Sequence, residues 1–539
     1  MEAFFVYRTR RPVYAATLKT VNPHDHLPGK EPHMIIPTCE EILKLAPKYD
    51  IIPICREVYA DVITPITLLR RIARQSKRFF LLESIEGGEK WGRYSFLGYD
   101  PVMRVTCKSG SVTIESSLRE IPSRTLASDQ PLQVIREILS RFKSPSLEGQ
   151  PPFTGGFVGY FAYAMVEYAE PVLHISRGSA NDLDLMLFDK VIAYDHLKQK
   201  IEIVVNMRTG RTADPDPRPG ETQYLEYLMK EYGRVCGEIE TITSLINQSS
   251  PLEKMTSPDK PVFTCNVSKE TFCRTVEKTK EYILDGDIFQ AVISRQFTSP
   301  YKGSLLGAYR VLRTTNPSPY MVYMNIDDDE IISTSPETLI RLKDGRLTTF
   351  PVAGSRPRGA TPEEDRQLEK ELLEDEKELS EHNMLVDLGR NDIGKIAAFD
   401  SVEVTEYKMI HRYSKIMHIC SQVEGDIRPG LDGCSAIEAL LPAGTLSGAP
   451  KIRACQIIEE LEQVPRGIYG GALGYLDFTG NLDTCIAIRM AVKQGGKVTV
   501  QAGGGIVMDS VPENEYEESA NKARAVINAI INAGEVNDR

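Results

Sequence analysis

Two pairs of glutamates offer the clearest chemistry in this chain. Glu378 and Glu381 stand three residues apart in a helix-forming run, and Glu515 and Glu518 repeat that spacing in "VPENEYEESANKARAVINAI". Residues at i and i+3 share one face of a helix, so each segment can present two carboxylates together. Two such faces brought together demand a cation. Like charges about 4 Å apart repel by about 4 kcal/mol at an effective dielectric of 20, so the site must take up protons or bind a metal. All-oxygen ligands suit Mg²⁺. Spacing alone leaves a plainer arrangement open: two solvated faces, with Glu518 and Lys522 as an ordinary i, i+4 pair.

Other residues could meet an anion. A β-rich run enters Gly503-Gly504-Gly505, and consecutive glycines can turn their N–H groups into one concavity that holds a carboxylate. A simple turn is the alternative. Arg489 sits in "LDTCIAIRMAV" (482–492), which alternates like one strand, and a half-buried guanidinium needs either a structural ion pair or a bidentate ligand. His418 lies in the apolar "YSKIMHICSQVEG" and is open to either a core or a reactive role.

The elements that must position these groups are of mixed type. "VMRVTCKSGSVTIES" (102–116) and "KVIAYDHLKQKIEIVVNM" (190–207) read as hairpins, with Ser109-Gly110 turning the first. "PLQVIREILSRF" (131–142) and residues 221–245 have helical periodicity. Residues 247–261 form a polar, proline-containing linker, after which Ser268 opens a helix running to Leu284 and a β-branched run follows. The charged run 362–382 reads as one solvated helix with an apolar stripe at Leu368, Leu372 and Leu379. This gives an N-terminal extension (1–33) outside the core, a first domain (34–246), the linker, and a second domain (262–535).

Composition narrows the partners. The 539 residues carry 64 Lys and Arg against 75 Asp and Glu, a net charge of −11, which argues against a broad nucleic-acid-binding surface. No stretch approaches the roughly 18 apolar residues of a membrane span. The ten cysteines are scattered, with no C-x-x-C pair. They read as reduced thiols of a cytoplasmic protein.

Longer blocks carry a resemblance. "PVAGSRPRG" (351–359), "ELSEHNMLVDLGRND" (378–392), "GTLSGAPKIRA" (444–454), "YGGALGYLDFTGNLDTCIAIR" (469–489) and "VQAGGGIVMDSVPENEYEE" (500–518) occur in the order seen in chorismate-binding enzymes. "FFLLESIEGGEKWGRYSFLGYDP" (79–101) resembles the large subunits of anthranilate synthases. The resemblance implies an α+β fold with two large packed antiparallel sheets, helices outside, and the active site in a cleft. It makes Glu381 and Glu518 the Mg²⁺ ligands, supported by Glu378 and Glu515. Gly354, Ser355, Tyr469, Arg489 and Gly503, Gly504 and Gly505 would bind the substrate's carboxylates. Ser355 departs from a common Thr but keeps the hydroxyl. Glu337 matches the family's proposed acid for expelling the 4-hydroxyl, and His418 and Thr445 match residues around the reacting ring.

Two positions discriminate among the family's reactions. Members that add water resemble one another in a Lys base where this chain has Gln290, and aminodeoxychorismate synthases carry a nucleophilic Lys where Ala353 stands. Amination of chorismate at C2, then loss of pyruvate to anthranilate, is the reaction that remains. The alternatives are an enzyme stopping at 2-amino-2-deoxyisochorismate, an aminodeoxychorismate synthase-like enzyme, or a non-catalytic tryptophan-binding regulatory subunit. Cys434 in "DGCSA" fits no glutaminase motif, so ammonia would come from a separate glutamine amidotransferase subunit, in a heterotetramer. Feedback inhibition by tryptophan is implied at Ser84, Pro319, Tyr320 and Met321, with Gly474, Tyr475 and Cys485 nearby.

Overall fold

The computed structural model describes residues 35–61, 63–84, 92–211, 221–249, 260–413 and 416–535. The N-terminal extension and most of the expected linker lie outside these residues, as does the "EGGEKW" segment (86–91).

Two antiparallel sheets, of 13 and 12 strands among the described residues, form the frame. The expected hairpins are present: Met103–Lys108 pairs with Ser111–Ser116, and Lys190–Asp195 with Lys200–Arg208. Ser109 and Gly110 turn the first with φ of 49° and 77°, the left-handed pair that a tight hairpin requires. Helices cover the outer faces. Lys269–Leu284 starts at Ser268, whose hydroxyl accepts the Thr271 amide at 3.2 Å, and Glu221–Ile246 matches the expected long helix.

Strands from both halves of the sequence build each sheet. Arg78–Glu83 pairs with Tyr320–Ile326, placing Glu83 opposite Met321, and Gly156–Phe161 pairs with Ala472–Asp477. Residues from Ile35 onward form one compact unit. The segment 247–261 therefore divides the sequence but separates no two cores.

Apolar residues fill three layers, as a helix–sheet–sheet–helix stack requires. Phe80, Phe96 and Met324 of the larger sheet meet Val158, Phe188 and Leu473 of the smaller one. Outside the larger sheet, helix Pro512–Ile531 buries Ala523, Val526 and Ile530. Outside the smaller sheet, Val386 and Ile393 of Glu376–Gly394 join Ile437 and Leu440.

The charged run 362–382 forms two helices rather than one. Pro362–Glu374 ends at Asp375, whose carboxylate accepts the amides of Lys377 and Glu378 and so caps Glu376–Gly394. An N-cap carboxylate satisfies donors that a new helix leaves open, and this cap fixes where Glu378 and Glu381 begin. The stripe is shared by the two helices: Leu368 and Leu372 of the first and Leu379 of the second pack on Met417 and Ile419.

Candidate active site

The chain crosses between the two sheets at several points, and two of these crossings carry the charged groups of the site. Strand Asp329–Ser335 lies in the larger sheet and Thr338–Lys343 in the smaller, with Pro336 and Glu337 between them. The segment 482–492 also divides, into Leu482–Ile486 of the smaller sheet and Met490–Gln494 of the larger. Arg489 thus lies at a crossing and not within one continuous strand, and its φ is 46°. Alternating apolar residues on either side concealed the break. The crossings are laced together: the Ile486 amide donates to the Glu337 carbonyl at 3.0 Å, Ser335 Oγ donates to the Ile486 carbonyl at 2.7 Å, and the Thr334 amide donates to the Arg489 carbonyl at 3.1 Å.

Glu337 is half-buried, and burial pushes its carboxyl up to about 7, with the Thr445 hydroxyl and the charges of Arg489 and Lys522 opposing. Thr445 Oγ1 donates to its Oε1 at 3.0 Å. Burial depresses Arg489, with only Glu337 acting to hold its charge. Among the described residues the Arg489 side chain makes no hydrogen bond or ion pair. A guanidinium desolvated to this degree without an internal partner fits the ligand-contact alternative and not the structural ion pair.

Beside these crossings the edge of a strand is open. Lys497–Ile506 pairs with Gln290–Pro300 along its length, whereas Met490–Gln494 reaches only as far as Val500 on the other side. Gly503, Gly504 and Gly505 are therefore strand residues, neither a turn nor a nest of consecutive amides. The Gly503 amide bonds the Tyr469 hydroxyl. By the two-residue period of a strand, Gly505 also faces the open edge and Gly504 faces the ladder. Each glycine has a steric reason. An added Cβ would lie 2.4 Å from the Ile293 carbonyl at Gly503, 3.0 Å from Glu515 Oε2 at Gly504, and 2.3 Å from Gln290 Nε2 at Gly505. Gln290 is buried, and its Oε1 has no hydrogen-bond partner.

The glutamate pairs converge on this edge. Partial desolvation, reinforced by the carboxylates of Glu378 and Glu518, raises Glu381, although its side chain stays open to solvent. Burial and Glu518 raise Glu515, which accepts the Ser510 hydroxyl at 2.8 Å. Lys522 reaches among them, 2.8 Å from Glu518 and 3.2 Å from the Gly503 carbonyl. Among the described residues no three carboxylate, His or Cys groups are gathered into a ready cation site. The donor set nonetheless fits a hard divalent cation: oxygen ligands only, with two carboxyls raised by burial and by neighbouring carboxylates.

Gly354 and His418 close the other side. Gly354 (φ 70°) occupies an irregularity in the pairing of Val352–Pro357 with Ile416–Asp426, and an added Cβ there would lie 3.1 Å from Glu378 Oε2. His418 Nδ1 donates to the Gly354 carbonyl at 2.9 Å, so Nδ1 carries the proton. Ser355 is exposed beside it. Ala353 is buried, and Cys434, within helix Gly433–Leu440, is buried in the core. Sequence reasoning passed over Lys522 as a cation facing four carboxylates, although its i, i+4 spacing from Glu518 was visible.

The inhibitor candidates lie elsewhere. A cavity of about 690 Å³ is lined by Ser84, Pro319, Tyr320, Met321, Gly474 and Tyr475, with Cys485 buried behind it. The void at Glu337 and Thr445 is only about 50 Å³. The cavity at Ser84 is thus much larger than the void where the charged groups converge. On its wall Glu83 is paired: it accepts from Ser95 at 2.8 Å, Tyr309 at 2.9 Å and Arg313 at 2.8 Å.

Comparison with known proteins agrees with the geometry. Residues 77–528 match the family described as chorismate binding enzyme. Anthranilate synthase component 1 of Acetivibrio thermocellus is 45% identical over 93% of this chain and 100% of its own length, and that of Aquifex aeolicus (strain VF5) is 43% identical over 91% and 97%. The crystal structure of anthranilate synthase component I from Streptococcus pneumoniae TIGR4 superposes with a TM-score of 0.68 at 33% identity, covering 87% of this chain and 99% of that one. An acid and an unpaired guanidinium on adjoining crossings, four carboxylates at a glycine-lined edge, and similarity along nearly the whole length all lead to one assignment: the chain belongs to the chorismate-binding enzyme family, among the anthranilate synthase component 1 proteins.

Proposed function

We propose that this enzyme converts chorismate and ammonia to anthranilate, in the tryptophan-biosynthetic role of the relatives it resembles. The observation that carries the reading is the unpaired, half-buried Arg489 beside Glu337, whose carboxyl titrates near neutrality. Chorismate is a dicarboxylate with a hydroxyl to expel, and the site offers one fixed cation and one acid to match.

Arg489, the Tyr469 hydroxyl, the open-edge amide of Gly505, and Gly354 with Ser355 hold the carboxylates of the substrate. Mg²⁺ held by Glu381 and Glu518, with Glu378 and Glu515 in support, would neutralise the ring carboxylate. Glu337, protonated near neutral pH and oriented by Thr445, gives its proton to the 4-hydroxyl as the C4–O bond breaks and nitrogen adds at C2. Gln290 cannot serve as a base, and ammonia needs none to act as a nucleophile. Its buried Oε1 is an acceptor suited to an incoming N–H. His418, its Nδ1 committed to Gly354, packs beside the ring. Loss of the C2 proton and of pyruvate then gives the aromatic product.

The purified chain incubated with chorismate, Mg²⁺ and ammonium at alkaline pH should produce anthranilate fluorescence, and excess EDTA should abolish it. Full turnover in EDTA would sink the Mg²⁺ assignment. Accumulation of 2-amino-2-deoxyisochorismate in place of anthranilate would overturn the second half-reaction. Glutamine should be unused until a glutamine amidotransferase subunit is added. Tryptophan should inhibit by occupying the 690 Å³ cavity, where Leu82, Phe96, Met321 and Leu473 offer apolar surface to an indole and the polar and charged lining residues can meet the amino-acid head group. No helix among the described residues is long and apolar enough to cross a membrane, in keeping with a cytoplasmic setting.

A further inference from the structure

Tyr320 belongs to one sheet and bonds to the other. Its strand lies between Arg78–Glu83 and Asp329–Ser335 in the larger sheet. Its hydroxyl, however, donates to Asp483 Oδ1 at 2.7 Å and lies 3.0 Å from Thr338 Oγ1, both on strands of the smaller sheet. A hydroxyl has one proton to give, and here Asp483 takes it. The Thr338 hydroxyl therefore donates to the Tyr320 oxygen. Thr338 follows Glu337 directly, and the pairing slips at this point: Thr338 stands opposite Cys485 and Ile340 opposite Thr484, leaving Leu339 as an extra residue. Such a bulge interrupts the ladder and bends the strand locally. The acid thus hangs from a segment that regular pairing does not fully secure.

We propose that the Tyr320–Thr338 hydrogen bond is the link through which an occupant of the large cavity is read at Glu337, and that Thr338 is a positioning residue for that acid. The proposal rests on the tryptophan reading of the cavity given above. Tyr320 and Asp483 both line the cavity wall, so a ligand seated there presses on the ring whose hydroxyl pins Thr338. Moving that hydroxyl frees the crossing at Pro336–Glu337 to shift away from Thr445 and Arg489. Binding can drive the shift only through a difference in affinity for the two arrangements, and the effect must be reciprocal: a well-placed Glu337 with substrate bound weakens binding in the cavity.

Thr338→Val removes the hydroxyl and keeps the shape, while Thr338→Ser keeps the hydroxyl. Tryptophan affinity is measured by calorimetry with and without saturating chorismate. In the unaltered chain and in T338S, chorismate should weaken tryptophan binding by about 5- to 150-fold. In T338V tryptophan should still bind, with that factor reduced to within about twofold of unity. The alkaline limb of the ammonia-dependent kcat/KM profile, which reports Glu337, should move in T338V and return in T338S. Equal coupling in T338V and the unaltered chain overturns the link. Should T338V fail to fold, hydrogen exchange in the unaltered chain decides: tryptophan must quicken exchange at the Ile486 amide, which is bonded to the Glu337 carbonyl, and an unchanged rate there also overturns it. Failure of tryptophan to bind the unaltered chain at all is a different result, which removes the regulatory reading and the link together.

Discussion

The strand edge at Gly503–Gly505 and the cavity at Ser84 and Tyr320 are built on opposite electrostatic plans. At the edge, Arg489 has no ion-pair partner among the described residues, and Glu337, Glu381 and Glu515 are all raised. At the cavity, Glu83 is satisfied by three side chains, and Asp483, although burial raises it, is held by the Tyr320 hydroxyl and the charge of Arg341. Charge left unmet by the protein is charge reserved for a ligand, whereas charge met internally builds a wall. An unmet group is insufficient alone. Glu202 is fully buried, pushed up to about 7, and bonded through neither oxygen, yet it stands in neither region. What sets the edge apart is unmet charge of both signs converging on one open space.

Substitutions can break or sharpen this contrast, and the largest effect should come from Arg489→Met. If the guanidinium serves only a ligand, kcat/KM should fall by about 10³-fold or more while the melting temperature holds or rises, since no internal pair is broken. A fall in melting temperature with turnover largely retained would make Arg489 structural. Glu337→Gln should lower kcat by roughly 10²- to 10⁴-fold. Its stability effect has a definite sign. The folded carboxyl titrates above its unfolded value, so its contribution is intact below about pH 4.5 and lost as pH rises through about 7. Glu337→Gln should therefore be more stable than the parent at pH 8, by on the order of 1–3 kcal/mol, with the gap closing by pH 5 in denaturant titrations.

The cavity wall should respond in reverse. Glu83→Gln strands Arg313 and should cost about 3–5 kcal/mol of stability, while ammonia-dependent turnover per folded molecule stays within a few-fold. Ser84→Phe should have the smallest effect on turnover, within about twofold by fluorescence assay, yet abolish tryptophan inhibition. Full sensitivity to tryptophan in that variant would remove Ser84 from the inhibitor site.

Much of this was legible in the sequence because it rests on local pattern. Hairpins with left-handed turn residues, the Ser268 cap and the two Glu pairs are written in neighbouring residues, and the structure places them as read. The glycine run was legible as special but not in kind, because the reason lies in contacts with Ile293, Glu515 and Gln290, distant in the chain. The crossing at Arg489 was hidden for a related reason. Apolar alternation shows that a residue is buried on one face of a strand, but cannot tell which sheet the strand joins. Asp375 likewise read as one more charge in a solvated run, until its carboxylate proved to cap a second helix.

The interleaving of the two halves has a kinetic consequence for synthesis. Arg78–Glu83 must wait for Tyr320–Ile326, and Gly156–Phe161 for Ala472–Asp477, so each sheet keeps an unpaired internal edge until most of the chain has been made. Pairings this distant close slowly and leave strand edges exposed in the interval. The ribosome thus releases a first half that cannot finish either sheet alone. Yield in a cell should depend on elongation rate and chaperone supply more steeply than the stability of the finished enzyme would suggest.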